Sequence, residues 1–327
     1  MSNTPIRVAI NGYGNLGRGA EKAILASDDL EMVTIFTRRE PDSLDTVSGK
    51  VASVSDMADY VGQVDVCINC GGSATDLDQQ GPETVKLFNT VDSFDNHSHI
   101  PDYYATMNKH ASAAGHLAVI SSGWDPGLFS INRVLSEAIL PHGSTYTFWG
   151  RGVSQGHSDA IRRIPGVQDA KQYTVPVQSV VDRILAGEQP ELETRDKHLR
   201  ECFVVAEEGA DQAAIEEAIV TMPGYFADYD TTVHFISAEE LQRDHSAMPH
   251  GGRVIRSGET SEGTNQVYSF NLALDANPEF TGAMLVATAR ACSRMAAAGE
   301  TGARSVLDIP PALYSPKDGD ELRAHFL

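Results

Sequence analysis

Three glycines near the start of the chain have the spacing of a dinucleotide-binding loop. Gly12, Gly14 and Gly17 follow an apolar stretch at residues 6–10, and a helical pattern follows at residues 18–26. The first glycine of such a loop permits a tight turn, the second lets the backbone approach a pyrophosphate, and the third lets the helix pack closely against the strand. Free N–H groups at the start of the helix then bind the phosphate charge. We therefore predict a dinucleotide site here.

Two arginines after the second predicted strand favour NADP as the dinucleotide. Thr37, Arg38 and Arg39 follow the apolar residues 32–36, where an NAD-dependent protein carries an acidic residue for the ribose hydroxyls. Guanidinium groups remain charged and bind a 2′-phosphate bidentately. The alternative is a solvated arginine pair, partly neutralised by Glu40.

Several acidic and histidine side chains follow later predicted strands. Asp92, Asp95, His97 and His99 are close in sequence, but their spacing matches no structural zinc pattern, so we predict no metal. Asp95 and Asp125 instead have the chemistry to bind a substrate ammonium group or to assist proton transfer. The alternative for either residue is a turn or capping aspartate, and this fits Asp125 before Pro126.

Polar residues later in the chain have the chemistry to bind a carboxylate. Arg200 offers a planar fork of donors, and Thr174, His250 and Asn277 add neutral donors. The sequence alone does not establish that these four side chains converge.

Two further motifs have competing interpretations. Residues 152–156 spell GxSxG around Ser154, which is typical of a hydrolase nucleophile, but such a turn belongs to a main parallel sheet and this one opens a second domain. We interpret it as a polar glycine loop against a small substrate. Cys67 and Cys70 form a CxxC, yet they lie in a predicted strand, so two small buried residues are favoured over a redox pair.

The elements that must position these residues change in kind along the chain. Strands are predicted near residues 6–11, 31–37, 64–70, 90–92 and 117–121, and helices near residues 15–27, 75–89, 102–114 and 127–140. This alternation predicts a parallel sheet covered on both faces, with ligands at the carboxyl ends of its strands. From about Thr145, β-rich runs at residues 146–149, 172–175, 202–206, 231–236 and 266–274, with one or two helices between them, predict a second domain.

We assign the chain to the α/β class with two domains. A Rossmann-type dinucleotide-binding domain covers residues 1–144, and residues 278–327 pack back on it through a helix at 278–298. An α+β substrate-binding and dimerisation domain with a mostly antiparallel sheet covers residues 145–277.

Composition limits the partners and the compartment. The 327 residues are 41% hydrophobic, enough for two cores, and the net charge of −20 argues against nucleic acid or an anionic membrane as a partner. We expect a cytoplasmic protein because four cysteines suit a reducing compartment and the sequence shows neither a leader nor a membrane-spanning stretch.

Several sequence blocks resemble the meso-diaminopimelate dehydrogenase family. The blocks from Ser122 onward are more specific than the glycine loop, and they include Ser122-Gly123-Trp124-Asp125-Pro126-Gly127 and Met248-Pro249-His250-Gly251-Gly252. Residues 6–18, 70–76, 95–97, 148–150, 154–159 and 162–167 agree as well. The resemblance implies reversible, NADP-dependent oxidative deamination of meso-2,6-diaminopimelate at its D-centre, giving L-2-amino-6-oxopimelate and ammonia in lysine biosynthesis. It also implies a homodimer.

The resemblance also implies roles for individual residues. Asp95, Trp124 and Asp125 would line the reacting D-centre, and either aspartate is a candidate for the base. The remaining substrate contacts would be Trp149, Gln155, Gly156, Thr174, Arg200, His250 and Asn277, the last four mainly at the distal L-centre. NADP would be bound by Gly12, Tyr13, Gly14, Asn15, Leu16, Thr37, Arg38, Arg39, Cys70, Gly71, Gly72 and Ser73.

Three alternatives remain open at this stage. A broader D-amino acid dehydrogenase is one, because Gly71, Ser93, Phe94 and Arg151 depart from the family pattern. A non-catalytic NADP sensor is another. A semialdehyde dehydrogenase of the same plan is the third, but it needs an acylating cysteine and Cys70 is poorly placed for that role.

Overall fold

A computed structural model describes residues 4–327, which form two compact units. The first unit comprises the described residues up to Ile131 together with Pro278–Leu327, and the second is Asn132–Asn277.

The strands and helices are numbered in chain order. The strands are β1 Ile6–Asn11, β2 Leu30–Thr37, β3 Val51–Ser53, β4 Val66–Asn69, β5 Asn89–Asp92, β6 Leu117–Ile120, β7 His142–Trp149, β8 Gly152–Val153, β9 Val167–Pro176, β10 His198–Ala206, β11 Asp230–Phe235, β12 His250–Ser261, β13 Thr264–Leu274 and β14 Gly302–Ser305. The helices are α1 Asn15–Leu25, α2 Leu77–Thr84, α3 Ile100–Ala114, α4 Leu128–Ile139, α5 Gln155–Arg162, α6 Gln178–Leu185, α7 Thr194–Lys197, α8 Gln212–Val220, α9 Ala238–His245, α10 Asn277–Ala297 and α11 Gly319–Phe326.

The first unit is built on a seven-stranded sheet in the order β14-β6-β5-β4-β1-β2-β3. Every neighbouring pair in this sheet is parallel. The predicted parallel sheet and its alternating helices are therefore confirmed. Strands β3 and β14 were not predicted, because their sequences, VAS and GARS, contain no run of β-branched or aromatic residues.

Helix α10 belongs to the core of the first unit. Leu285, Val286 and Ala289 on this helix share one buried cluster with Val8 and Ile10 of β1. Parallel sheets need cover on both faces, and α10 supplies part of that cover from a distant region of the sequence.

The second unit contains two smaller sheets. One has the order β11-β10-β9-β8, in which β10 and β11 are parallel and the other pairs are antiparallel. The other is the antiparallel sheet β13-β12-β7. The predicted fold class is confirmed, including the mostly antiparallel strand pairing in the second unit.

Two expectations for this region are wrong. Five helices, α5 to α9, lie between the strands in the described part of the second unit instead of one or two, because helices of four to nine residues span too few turns to be recognised from the sequence pattern. Strand β12 was not predicted because Gly251, Gly252 and Gly258 interrupt its apolar pattern. A Cβ atom at Gly258 would lie 2.5 Å from the carbonyl oxygen of His142, so the close approach of β7 requires glycine there.

Among residues 4–327, no helix is both long enough and apolar enough to cross a membrane.

We predict that Arg290→Ala destabilises the first unit. Arg290 is 5% exposed, and it donates to both carboxylate oxygens of Asp29, at 2.6 and 2.8 Å, and to the carbonyl of Tyr314 at 2.9 Å. Because Asp29 is partly solvated, we expect a loss of about 2 kcal/mol in the free energy of unfolding, less than for a fully buried pair. Urea denaturation followed by circular dichroism measures it. Arg183→Ala, which removes an exposed pair with Glu188, is the control, and equal losses in both variants would contradict the prediction.

Candidate functional site

The glycine loop adopts the geometry that its sequence predicts. Gly12 has φ +100° at the turn after β1, and its N–H donates to the carbonyl of Phe36 at 2.9 Å. A Cβ atom at Gly17 would lie 2.3 Å from the carbonyl oxygen of Gly12, so any larger residue would force α1 away from the turn. Helix α1 begins directly after Gly14 without a side-chain cap, which leaves its first N–H groups directed at the loop.

A cavity of about 370 Å³ lies beside this loop, at the carboxyl ends of β1, β2 and β4. Of the predicted cofactor residues, nine line it, namely Gly12, Tyr13, Gly14, Thr37, Arg38, Arg39, Cys70, Gly71 and Gly72. Asn15, Leu16 and Ser73 are not among its lining residues. The lining residues that the sequence analysis missed are Asn11, Phe36, Val54, Asp76 and Gln80. Asn11 and Phe36 are adjacent to predicted contacts, and that adjacency was an available signal.

Tyr13 connects the glycine loop to Arg39. The Arg39 guanidinium donates to the carbonyl oxygen of Tyr13 at 2.5 Å, and the Tyr13 hydroxyl donates to the buried carboxylate of Glu21 at 2.5 Å. Glu21 also accepts from the backbone N–H of Ser48 at 2.8 Å. Burial, reinforced by the Glu21 carboxylate, raises the pKa of Tyr13 to about 12. The hydroxyl therefore stays protonated and holds this network together.

Arg38 is an exposed cation at the rim of the same cavity. Its side chain is 78% exposed, and its guanidinium lies 2.7 Å from a carboxylate oxygen of Asp76. Desolvation acts to raise the pKa of Asp76, but hydrogen bonds from the Gly72 N–H, Thr75 and Arg38 outweigh it and leave that pKa below its usual value. The acid that pairs with Arg38 is therefore Asp76 of the neighbouring loop, whereas the sequence had pointed to Glu40.

Asp95 lies beside the loop at residues 70–73. It is exposed after β5, and its backbone N–H donates to the Ser73 hydroxyl oxygen at 3.1 Å. This hydrogen bond brings a predicted catalytic residue next to a predicted cofactor loop.

Trp124 and Asp125 occupy a tight turn after β6. The Trp124 side chain is buried and packs edge-on against Phe129, with 5.2 Å between ring centroids. Gly127 has φ +136°, and a Cβ atom there would lie 1.7 Å from the carbonyl oxygen of Gly123, so only glycine fits. Because β5 and β6 are paired neighbours, the Asp95 and Asp125 loops leave the same edge of the sheet side by side.

Cys67 and Cys70 are free, buried thiols. Burial raises the pKa of Cys70 to about 12 and raises that of Cys67 as well. Neither sulfur is a thiolate at neutral pH, and this argues against a redox or acylating role. Among the described residues, no group of three or more histidine, cysteine or acidic side chains converges as a metal site.

In the second unit, Thr174 and Arg200 are cross-strand partners on β9 and β10. The Arg200 guanidinium donates to the Thr174 hydroxyl and lies over the ring of Tyr229, 3.8 Å from its centroid. Arg200 is only 7% exposed, and its Nε has no hydrogen-bond partner among the described residues. A buried cation with unused donor capacity is suited to a carboxylate ligand.

His250 lies next to the same pair of strands. A Cβ atom at Gly152 would lie 2.6 Å from the His250 ring, so Gly152 makes room for this imidazole. Gly152 is also the strand partner of Thr174. Burial lowers the pKa of His250, so its ring is neutral at physiological pH. His250 and Thr174 are therefore on either side of one glycine.

Met248 connects two further predicted substrate residues. Its sulfur accepts from the side-chain amide of Gln155 at 3.2 Å, and its carbonyl accepts from the backbone N–H of Asn277 at 3.2 Å. Trp149 is stacked on His198, with 5.3 Å between ring centroids, and Gly156 lies exposed in the first turn of α5. The sequence assigned no role to Tyr229, Met248 or His198. Met248 lies in the block at residues 248–252 that carries the family resemblance, whereas no motif marks Tyr229 or His198.

Ser154 has a structural role in this unit. Its hydroxyl caps α5 and forms a hydrogen bond with His157 Nδ1 at 2.7 Å. Burial lowers the pKa of His157 to about 4, which makes its ring a weak base. The preceding strand β8 pairs antiparallel to β9, whereas a hydrolase nucleophile follows a strand of the main parallel sheet.

The parallel sheet, the glycine turn and the basic rim define a dinucleotide-binding α/β protein. Comparison with known proteins identifies its family. Residues 123–276 match the family model for the diaminopimelic acid dehydrogenase C-terminal domain. A meso-diaminopimelate D-dehydrogenase from Ureibacillus thermosphaericus is 58% identical over 98% of this chain and 99% of its own length.

Two solved structures are similar over almost their whole length. One is a mutant of the meso-diaminopimelate dehydrogenase (meso-DAPDH) from Clostridium tetani, solved with diaminopimelate (DAP). Its TM-score is 0.94 and its sequence identity is 52%, and the match covers 98% of this chain and 100% of that one. An engineered D-amino acid dehydrogenase bound to NADP⁺ has a TM-score of 0.87 and 45% identity, covering 99% and 100%. The chain belongs to the meso-diaminopimelate D-dehydrogenase family, which confirms the resemblance found in its sequence.

Proposed function

We propose that this protein catalyses the reversible, NADP-dependent oxidative deamination of meso-2,6-diaminopimelate at its D-centre. The products are L-2-amino-6-oxopimelate, ammonia and NADPH, and in reverse the reaction serves lysine biosynthesis. The observation that carries the proposal is the placement of Asp95 against Ser73, at the sheet edge that holds the dinucleotide cavity.

The cavity fits NADP by its shape and charge. The turn at Gly12 and the uncapped start of α1 suit a pyrophosphate, and Arg38 and Arg39 suit a 2′-phosphate. When bound, NADP⁺ supplies the hydride acceptor.

We assign the acid–base work to Asp95 and Asp125. A carboxylate beside the D-centre holds the substrate ammonium, then assists its deprotonation as the Cα–H bond breaks, and the resulting imine is hydrolysed. Trp124 completes this part of the substrate site. Because the two aspartates follow paired strands, both can contact one amino centre, and either can serve as the base.

We assign the distal L-centre to Thr174, Arg200, His250 and Asn277, with Trp149, Gln155 and Gly156 as further substrate contacts. The buried Arg200 with its unpartnered Nε supports a carboxylate here. The Clostridium tetani structure supports the same set, because that mutant carries substitutions at a glutamine, a threonine, an arginine, a proline, a histidine and an asparagine. The same residue types at the same separations occur here at Gln155, Thr174, Arg200, Pro249, His250 and Asn277.

We predict turnover of meso-diaminopimelate with NADP⁺, measured as NADPH absorbance with the meso, LL and DD isomers in parallel and with NAD⁺ as the second cofactor. Activity confined to the meso isomer and NADP⁺ is expected, because a D-centre and an L-centre are recognised by different residues. In the same assay with simple D-amino acids, turnover equal to that of meso-diaminopimelate would favour the broader dehydrogenase. NADP binding without turnover of any substrate would favour a sensor.

We predict that Arg38→Ala/Arg39→Ala changes cofactor preference. Losing two charge-assisted contacts should raise the KM for NADP⁺ about 100-fold, while the KM for NAD⁺ changes about twofold at most. Steady-state kinetics with both cofactors measure this. Arg323→Ala, which removes an exposed pair with Asp320, is the matched control. Equal increases for NADP⁺ and NAD⁺ in the double variant would overturn the assignment.

We propose that the protein is a homodimer that associates through its second unit. Val134, Leu135 and Ile139 on α4 are 51%, 51% and 62% exposed, an unusual concentration of large apolar side chains on one helix. Sedimentation equilibrium should give twice the chain mass of 35.2 kDa, and Leu135→Glu/Ile139→Glu should give the monomer. Val61→Glu, at an exposed apolar residue of the first unit, is the control. A monomeric wild-type protein would contradict the proposal.

The four free cysteines support a reducing compartment, for which we propose the cytoplasm.

A further inference from the structure

Asp92, the last residue of β5, is a fully buried carboxylate with three hydrogen-bond donors. Its Oδ1 accepts from the backbone N–H groups of Phe94 at 3.0 Å and Ser121 at 3.1 Å. Its Oδ2 accepts from the hydroxyl of Tyr103 at 2.8 Å. An ionised carboxylate is costly to bury, and these donors offset much of that cost.

The two backbone groups on Oδ1 belong to the two loops that carry the proposed acid–base residues. Phe94 directly precedes Asp95, and Ser121 begins the turn that contains Asp125. The carbonyl oxygen of Asp92 also accepts from the N–H of Ser122 at 2.8 Å. One residue therefore fixes the start of both loops relative to each other.

Packing holds Tyr103 in place to complete this arrangement. Its ring stacks on Phe94 with 4.1 Å between centroids. A Cβ atom at Gly81 of α2 would lie 2.3 Å from the Tyr103 hydroxyl, so the glycine leaves room for the hydroxyl to reach Asp92. Tyr103 thus orients the carboxylate and packs against the residue before Asp95.

We infer that Asp92 and Tyr103 form a positioning pair that sets the relative placement of Asp95 and Asp125 at the reacting amino centre. The inference rests on the proposed deamination. Neither residue is assigned a substrate contact, and the pair acts through the backbone of the two loops.

The first test is Tyr103→Phe, which removes one hydrogen bond and keeps the stacked ring. We expect kcat for meso-diaminopimelate to fall about tenfold, the value of one hydrogen bond to a charged group. The Kd for NADPH, measured by fluorescence titration, should stay within about twofold, because the glycine loop is held by β1 and β2. Tyr104→Phe is the matched control: it is the next residue on α3, and its hydroxyl donates to the carbonyl of Ala303 at 2.9 Å.

Substitutions at two further positions, Asp92 and Gly81, keep the inference testable if the Tyr103 variant folds poorly. Asp92→Asn should retain more activity than Asp92→Ala, because an amide oxygen still accepts from Phe94 and Ser121. Gly81→Ala should lower kcat like Tyr103→Phe, because the added methyl group displaces the hydroxyl without changing any polar group.

The outcomes separate positioning from general stability. A fall in kcat for Tyr103→Phe and Gly81→Ala, with NADPH affinity and the Tyr104→Phe kinetics unchanged, supports the pair. Unchanged kcat in Tyr103→Phe, or an equal loss in Tyr104→Phe, overturns it. Because every variant is compared with wild-type turnover, an inactive wild-type protein would refute the proposed function and not the pair.

Discussion

The burial of a parallel sheet on both faces is the constraint on which the first unit depends. Its strands can pair only if helices cover both faces and if the chain crosses over between neighbouring strands. Helix α10 and strand β14 return to this sheet after the second unit has been completed. The same arrangement brings the carboxyl ends of the strands to one edge, and the glycine loop, Asp95 and Asp125 all follow strands that end there.

Buried polar groups then give that edge its precision. Glu21 holds Tyr13 in the glycine loop, and Asp92 holds the backbone before Asp95 and at the start of the Asp125 turn. Each is an acid with little or no exposure, stabilised by several donors. Such groups are expensive to bury and tolerate few alternative geometries, so they favour a single placement of the loops they bind.

The sequence was predictive where a residue type has a local requirement. The turn at Gly12 needs a positive φ, and α1 needs a glycine at position 17, so the local geometry of this loop was predictable from a few consecutive residues. The sequence pattern failed for short helices such as α8 and for β12, whose apolar pattern is interrupted by glycines. At Gly258 the reason for glycine is the close approach of β7, a contact between residues far apart in sequence.

By itself, the sequence determined the fold class, the tight turn of the glycine loop, NADP as the cofactor and the family, because each depends on local patterns or on specific blocks of residues. Only the tertiary structure decided which side chains meet. It paired Arg38 with Asp76, placed Tyr229 under Arg200 and put Gly152 between His250 and Thr174. It also revealed that Asp92, which the sequence presented as one acid in a cluster, is a buried anchor for two loops. Strand pairing and side-chain packing join residues that are distant in sequence, so no local pattern encodes these contacts.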